Sequence, residues 1–229
     1  ILFPTLTGAL GDPDVRIALA PIVRQAPVWL PAYLGDAING IENPANLADV
    51  LVKAGRLPDE DNYRNISNAL LGQLAAKNKF PAFRQYYLSL KGGNKAAFQS
   101  ASLTGATVNL AHPAAGWQAI ENVGVGGVFS QPDAGGRFSL AAFAGSGQRG
   151  EVMRKLLFLE PGSYRFQAQY AALDAVSDAE IRWDMQCITP AGNVGKWFAA
   201  TSVRAGDFAH MQDFTVGSDC RTQLLILQA

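Results

Sequence analysis

The stretch that decides the fold is Leu159–Tyr170, which has the sequence LEPGSYRFQAQY. Its Glu-Pro-Gly-Ser portion predicts a turn, because Pro and Gly supply the backbone angles that turns need. The following residues, Tyr164–Tyr170, alternate strictly between apolar and polar side chains, which is the period of a half-buried strand. The stretch therefore predicts a strand that begins at a tight turn in an antiparallel sheet.

The region around this stretch predicts further short strands at similar spacing, with no helix between them. Such a series is typical of an antiparallel β-sandwich of the jelly-roll type, here expected over residues 105–229. The other strands are predicted at 107–111, 115–120, 126–131, 137–143, 155–159, 179–187, 195–203, 207–216 and 222–227.

The N-terminal part has a helical period instead. Asp12-Pro13 and Asn43-Pro44 each place a capping residue before a proline at the first helical position, and Gly55 is a natural helix end. About five helices are expected, in a small bundle or a repeat-like stack. They begin near residues 13, 29, 44, 58 and 81.

The pattern changes at Lys91-Gly92-Gly93-Asn94, where the glycine pair marks a turn or linker. The predicted fold class is therefore α+β in two segregated parts. A helical domain is expected over residues 1–92 and a sandwich domain over 105–229, and residues 96–102 are open to one more helical turn.

Composition excludes some classes of protein. The chain has 229 residues, 19 basic and 19 acidic, so it lacks the basic surface that a nucleic-acid binder needs. No apolar stretch approaches the roughly 18 residues of a membrane-spanning helix. The chain begins at Ile1 without an initiator Met, and we expect it to be a piece of a longer precursor.

The two cysteines leave two interpretations open. Cys187 ends a predicted strand and Cys220 precedes another, so the two residues can lie side by side and form a disulfide. That bond would indicate an exported protein. They can also be two separate buried thiols, because a free cysteine packs as a small apolar residue.

The sequence offers little catalytic chemistry. His112 and His210 are the two imidazoles, and neither belongs to a recognisable nucleophile motif. Asp174/Asp178 and Glu180/Asp184 are spaced as acid pairs, but spacing alone does not set the separation that glycoside hydrolysis requires. We expect no enzyme activity, no metal site and no cofactor; a structural calcium ion is left open.

Three passages together resemble a known bacterial family. These are the turn and strand Leu159–Phe166, the helical passage Ala26–Leu34 (APVWLPAYL), and a C-terminal set of aromatic, cysteine and polar residues. That set comprises Trp183, Cys187, Trp197, Phe214-Thr215-Val216, Asp219-Cys220 and Gln223-Leu224. The chain is similar to exopolysaccharide-associated proteins with tetratricopeptide-like helices and a C-terminal jelly roll like a carbohydrate-binding module, related to galactose-binding domains.

A sugar site needs a flat aromatic face beside a few hydrogen-bonding groups. Trp117, Trp197 and Phe198 are the candidate ligand-binding residues; Trp197 and Phe198 are adjacent on a strand and must face opposite sides. Each of them is also open to a purely structural role. Trp183 is expected in the core, because it alternates with apolar residues, and Trp29 and Tyr33 are expected in helix packing.

We therefore expect a non-catalytic, exported protein of the periplasm or cell surface, which binds a polysaccharide or another glycan and acts in polysaccharide production or at the cell envelope. A protein partner is expected at the helical domain. The alternative is a structural scaffold or interaction module of an export complex that binds no sugar. An exposed apolar helical patch would favour this alternative.

Overall fold

The computed structural model describes residues 2–109, 111–169, 180–188, 194–199, 203–204 and 209–229, with the side chains of all but 106, 180, 194–199 and 203–204. The chain forms two compact units, Ile1–Lys95 and Ala96–Ala229. Helices occupy the N-terminal part and antiparallel strands the C-terminal part, which confirms the predicted fold class. The assignment of residues 1–92 and 105–229 as independent domains stays a prediction.

Six helices make up most of the first unit. The five predicted helices are present with small differences in their bounds, and one further helix precedes them. In chain order they are α1 Leu2–Ala9, α2 Pro13–Arg24, α3 Leu30–Gly40, α4 Pro44–Ala54, α5 Asp61–Ala76 and α6 Phe80–Ser89.

These helices pack in two rows. α1, α3 and α5 lie side by side in one row, and α2, α4 and α6 lie side by side in the other. Contacts of α5 with α4 and α6 join the rows. Each helix thus buries its apolar face against the helix two places along the chain, as in stacked helical repeats.

The helix boundaries follow from the capping residues. The Asp12 side chain accepts a hydrogen bond from the Asp14 amide at 2.8 Å, and Asn43 accepts one from the Ala45 amide at 3.3 Å. Gly55 ends α4 with a φ of 92°, a left-handed conformation that a side chain would strain. The predicted start and stop signals are therefore satisfied locally.

Large aliphatic and aromatic side chains form the core of the helical unit. One polar pair lies within it: the Tyr86 hydroxyl contacts the Ser67 hydroxyl at 3.0 Å, and burial raises the pKa of Tyr86 to about 12. The fully buried residues include Leu10, Leu30, Tyr33, Leu34, Leu47, Leu51, Leu70, Phe83 and Tyr87.

The second unit begins with two helical turns, α7 Ala96–Gln99 and α8 Gly105–Val108, and a 3-10 turn at Pro113–Ala115. Strands follow to the end of the unit. They are β1 Trp117–Ala119, β2 Glu121–Asn122, β3 Val125–Phe129, β4 Leu140–Ala144, β5 Glu151–Leu157, β6 Gly162–Gln169, β7 Glu180–Ile188, β8 Val194–Ala199, β9 Val203–Arg204, β10 Ala209–Val216 and β11 Gln223–Gln228.

The main sheet has the strand order β1-β5-β11-β7-β8, and β9 also pairs with β7. All of its described pairings are antiparallel. Trp117, Lys155, Leu225 and Met185 lie opposite one another on successive strands. Opposed residues share a face, so this row defines the inner side of the sheet.

Two smaller antiparallel sheets, β6-β10 and β2-β3-β4, supply the opposite layer. Their inward side chains join those of the main sheet in one core, which makes the unit a β-sandwich. Members of this core include Trp117, Val125, Met153, Leu157, Phe166, Trp183, Met185, Val216, Leu225 and Leu227.

The predicted strand at 107–111 is wrong, because Gly105–Val108 forms the helical turn α8. Thr107 and Val108 are β-branched and favour strands, but tertiary contacts override this preference. The Thr107 hydroxyl accepts a hydrogen bond from the Thr104 amide at 2.9 Å, and the Thr107 carbonyl accepts one from Lys155 Nζ at 3.1 Å.

Cys187 and Cys220 form a disulfide, with Cα atoms 5.5 Å apart and a sequence separation of 33. The bond connects β7 to the segment that leads into β11. Gln223 lies opposite Cys187 in the β11–β7 register and donates from Nε2 to the Cys220 carbonyl at 2.5 Å. The disulfide interpretation of the two cysteines is thereby confirmed.

Reduction of the Cys187–Cys220 bond is expected to lower the free energy of unfolding of the second unit by about 4 kcal/mol, because the unfolded chain regains the entropy of an open loop. Urea unfolding followed by tryptophan fluorescence, with and without reductant, measures the change. A chain carrying Cys187→Ala and Cys220→Ala serves as control, and its urea midpoint should be the same with and without reductant. Equal urea midpoints for oxidised and reduced wild type would contradict the expectation.

Candidate functional site

Trp117 lies in the core of the sandwich with 3% of its surface exposed. Its Nε1 atom donates to the Ala101 carbonyl at 3.2 Å, and its ring meets the Trp183 ring edge-on at a centroid distance of 6.1 Å. A ring packed in this way has no free face for a sugar. We therefore leave Trp117 out of the candidate site, since its apolar surface is used in core packing.

Trp197 and Phe198 belong to β8, at the end of the main sheet. Phe198 lies opposite Met185 and Lys196 lies opposite Gln186, so the register skips Trp197 at a β-bulge. The side chains of both aromatic residues lie outside the described part of the structure. Their role in sugar contact stays a prediction.

The other predicted aromatic residues have different surroundings. Trp183 is buried and packs against the Phe166 ring at 5.1 Å, so its predicted core position is confirmed. Tyr33 is fully buried, whereas Trp29 keeps 38% of its surface exposed while contacting both Tyr33 and Phe3. Trp29 therefore packs between helices on one side and faces solvent on the other.

The two histidines lie in separate structural settings. His112 is buried in the turn before the 3-10 segment, and His210 lies half-buried on β10 with its ring 6.3 Å from that of Phe166. Across the described ranges no group of three or more His, Cys, Asp or Glu side chains is arranged to hold a metal ion.

Asp184 is held in an ion pair. Its carboxylate is 1% exposed and accepts from Arg182 Nη2 at 2.8 Å, and the same guanidinium donates to Gln228 Oε1 at 2.7 Å. The Asp184 carboxylate is therefore bound by a side chain of its own sheet. Asp174, Asp178 and the Glu180 side chain, the other members of the predicted acid pairs, lie outside the described residues.

Among the described side chains of the sandwich, the exposed aromatic one is Phe143 on β4, with 45% of its surface accessible. It lies opposite Gly126 of β3, and a Cβ placed on that glycine would sit 2.8 Å from Phe143 Cζ. The ring therefore covers the glycine backbone. The Cζ and Cε1 atoms of the ring lie next to Gly126, and the side chain remains accessible to solvent.

The residues around this ring form an exposed surface, which we call the Phe143 face. It is the outer side of the β2-β3-β4 sheet and carries Glu121, Gly126, Val128, Ala141 and Phe143. Glu121 and Phe143 both pair with Gly126, one from each side, and Val128 pairs with Ala141. A carboxylate and an aromatic ring thus share one face with only a glycine between them.

An amide extends the Phe143 face at one end. Gly124 and Gly145 pair beside the ring, with Gly145 N donating to Gly124 O at 2.6 Å. A Cβ on Gly124 would meet Gln148 Cγ at 3.2 Å, and one on Gly145 would meet it at 3.5 Å, so Gln148 lies over this pair. The Phe143 face therefore combines an aromatic ring with a carboxylate and an amide.

Sequence reasoning missed this site, although a signal was present. The strand predicted at 126–131 corresponds to β3, and Gly126 and Gly127 lie within it. A glycine in a strand marks a place where another group approaches closely, and here an aromatic ring covers it. Only the β3–β4 register reveals that the ring belongs to Phe143.

Lys155 is an ionisable group inside the sandwich core, with no exposed surface. Its Nζ atom donates to the Thr107 carbonyl at 3.1 Å and lies 5.6 Å from the centre of the Trp117 ring. Burial lowers the pKa of Lys155 to about 7, because the charged amine loses its water. This amine is therefore poised to lose its proton near neutral pH.

Lys155 is expected to make stability depend on pH. Between pH 7 and 10.5 the unfolded chain holds a proton that the folded chain has released, so the free energy of unfolding rises with pH, by at most about 5 kcal/mol. Below pH 7 the amine is charged in both states and its burial cost is complete. Lys155→Met is expected to flatten this rise and to stabilise the second unit at pH 6.

Urea unfolding at pH 6 and pH 9 measures the effect. Lys95→Met removes an exposed amine and should keep the wild-type pH dependence. If Lys155→Met also keeps that dependence, the amine does not control the pH response.

In the part of the chain that the structure describes, no helix is long and apolar enough to cross a membrane. No protein-family model, no curated protein and no solved structure matches this chain. The resemblance to an exopolysaccharide-associated family therefore stays a prediction, and the geometry of the Phe143 face carries the functional argument.

Proposed function

We propose that this chain is a non-catalytic, exported carbohydrate-binding protein and that the Phe143 face contacts the glycan. The observation that carries the proposal is the exposed Phe143 ring resting on Gly126. A ring held in this way is already ordered before a ligand arrives. Binding then costs little side-chain entropy.

The chemistry of the face suits a sugar. The apolar C–H side of a pyranose ring can lie on Phe143, burying apolar surface from both partners. Glu121 and Gln148 lie at the margins of the ring, where they can accept hydrogen bonds from the sugar hydroxyls. Because Glu121 adds a negative charge, we expect a neutral glycan to bind better than one rich in uronic acids.

Two further observations support an exported role at the cell envelope. The Cys187–Cys220 disulfide is of a kind that persists in oxidising compartments, including the periplasm and cell surface. The resemblance of Ala26–Leu34 and Leu159–Phe166 to exopolysaccharide-associated proteins adds a polysaccharide context. Together they support a role in polysaccharide production or at the cell envelope.

The second candidate function is a scaffold or protein-interaction module that binds no sugar. The observation that favours it is apolar exposure in the helical unit. Val28 is fully exposed, Leu2 is largely exposed, and their chain neighbours Trp29 and Phe3 contact one another at 6.4 Å. Exposed apolar surface of this kind is typical of protein contacts.

Phe143→Ala is expected to weaken glycan binding at least tenfold, because it removes the stacking surface, whereas Phe143→Trp should keep or strengthen it. Calorimetry against neutral and uronic-acid bacterial polysaccharides measures both variants. Met211→Ala removes an exposed apolar side chain from a different sheet and should bind like wild type.

Two results would contradict the proposal. The first is wild-type binding that folded Phe143→Ala leaves unchanged. The second is an absence of binding by the folded wild type across the panel. The second result would direct attention to the scaffold function, for which Val28→Glu and Trp29→Ala are the variants that should abolish association with a protein partner.

A further inference from the structure

The strand that carries Phe143 is also an edge strand. Among the strands that the structure describes, the small sheet has the order β2-β3-β4, so β4 pairs with β3 on one side and with no described strand on the other. Its sequence, Leu140–Ala144, is LAAFA and contains no charged residue and no proline. Charged residues and proline are the residue types with which proteins usually protect an exposed edge from pairing. β4 therefore lacks two of the common protective devices, charge and proline.

The hydrogen bonds at the two ends of β4 show which backbone groups point away from β3. The Ser139 carbonyl accepts from the Ser130 amide at 2.9 Å, and the Gly145 amide donates to the Gly124 carbonyl at 2.6 Å. Hydrogen-bonding direction alternates along an antiparallel strand. The odd-numbered residues 139–145 therefore face β3.

Leu140, Ala142 and Ala144 consequently direct their amide and carbonyl groups toward the open side. Phe138, two residues before Leu140, points to the same side, and its amide donates to the Leu103 carbonyl at 2.8 Å. The segment around Leu103 thus covers the edge as far as Phe138 and then leaves it. Three residues of open edge follow.

The open edge is bounded at its other end as well. The Gln148 amide donates to the Gly145 carbonyl at 2.9 Å, which turns the chain away from the sheet after β4. A strand of about five residues fits between Leu103 at one end and this turn at the other. β4 itself has this length.

We propose that a second copy of this chain pairs with the open edge, β4 against β4 in antiparallel orientation, with Ala142 on the two-fold axis. In this register Ala142 lies opposite its counterpart, and Leu140 lies opposite Ala144 of the second copy. All three outward amide and carbonyl groups of each strand find partners. At each end the partner strand turns away before it reaches the segment at Leu103.

Charge and symmetry favour a second copy as the occupant. Two-fold pairing brings each side chain against its own kind or a near equivalent, so a charged edge would repel itself. β4 has only Leu, Ala and Phe, and self-pairing therefore brings no like charges together. A partner protein's extended segment is the competing occupant, and the experiment below separates the two.

Pairing would also enlarge the Phe143 face, a consequence that rests on the proposed function. Phe143 of one copy would lie opposite Ala141 of the other, so the two Phe143 residues become diagonal neighbours about 7–8 Å apart. The two small sheets would join in one continuous six-stranded sheet. Two aromatic rings on one face would contact successive sugars of a chain.

The test combines sedimentation velocity with crosslinking of the whole chain. Wild type is expected to be a dimer that dissociates on dilution. Ala142→Pro removes an amide from the open edge and leaves the β3–β4 hydrogen bonds intact, so it should be monomeric with unchanged circular dichroism. The Phe143 face of this monomer should still bind a short oligosaccharide, which separates dimerisation from sugar binding.

Crosslinking reports the register and does not depend on the folding of the proline variant. The only two cysteines of the chain are already paired, so an added cysteine supplies the only free thiol. Under mild oxidation Ala142→Cys should form a disulfide-linked dimer, because it faces its own counterpart. Ala144→Cys faces Leu140 and should crosslink far less.

The proposal stands if Ala142→Cys crosslinks more than Ala144→Cys and wild type dimerises. A wild type that stays monomeric over a hundredfold concentration range overturns the proposal. An extended segment of a different protein would then be the occupant to test. A dimer that survives in a folded Ala142→Pro variant, or equal crosslinking by both cysteine variants, also overturns it, because pairing would then occur elsewhere.

Discussion

The antiparallel register of β5, β11 and β7 is the constraint on which the sandwich depends. It places Lys155, Leu225 and Met185 in one inner row, while their sequence neighbours Arg154 and Asp184 point to the opposite face. A slip of one residue in any of these strands would turn its inner residues to the opposite face, so that Leu225 or Met185 would leave the core of the sandwich. The disulfide acts on the same register, because it connects the end of β7 to the segment that enters β11.

The same small sheet supplies both the candidate site and the candidate interface. Gly126 lacks a side chain, so the ring of Phe143 can lie on the β3 backbone instead of standing clear of it. Beside Phe143, the amides of Leu140 and Ala142 face away from β3, on a side where no strand in the described part of the chain pairs with them. An uncharged strand at a sheet edge is well suited to both roles, since it offers an accessible ring and a row of backbone hydrogen-bonding groups.

The elements that could be predicted from sequence are those with local causes. Asp12 and Asn43 mark helix starts, because a capping side chain and a following proline act within one turn. The Tyr164–Gln169 alternation marks a strand, because side chains on a strand face opposite sides in turn. The strand prediction for 107–111 was wrong, because a helical turn forms there and accepts a long-range hydrogen bond from Lys155.

The sequence by itself determined two segregated parts, most element positions and the residue pair able to form a disulfide, because periodicity and caps act over a few residues. Only the tertiary structure decided which aromatic rings face solvent. Trp117 and Phe143 are both aromatic residues of predicted strands, yet one enters the core and the other lies on the surface, because strand register and sheet order assign each face its surroundings. Pairing across 17 residues, from Gly126 to Phe143, is a property of the folded chain and leaves no short-range signal.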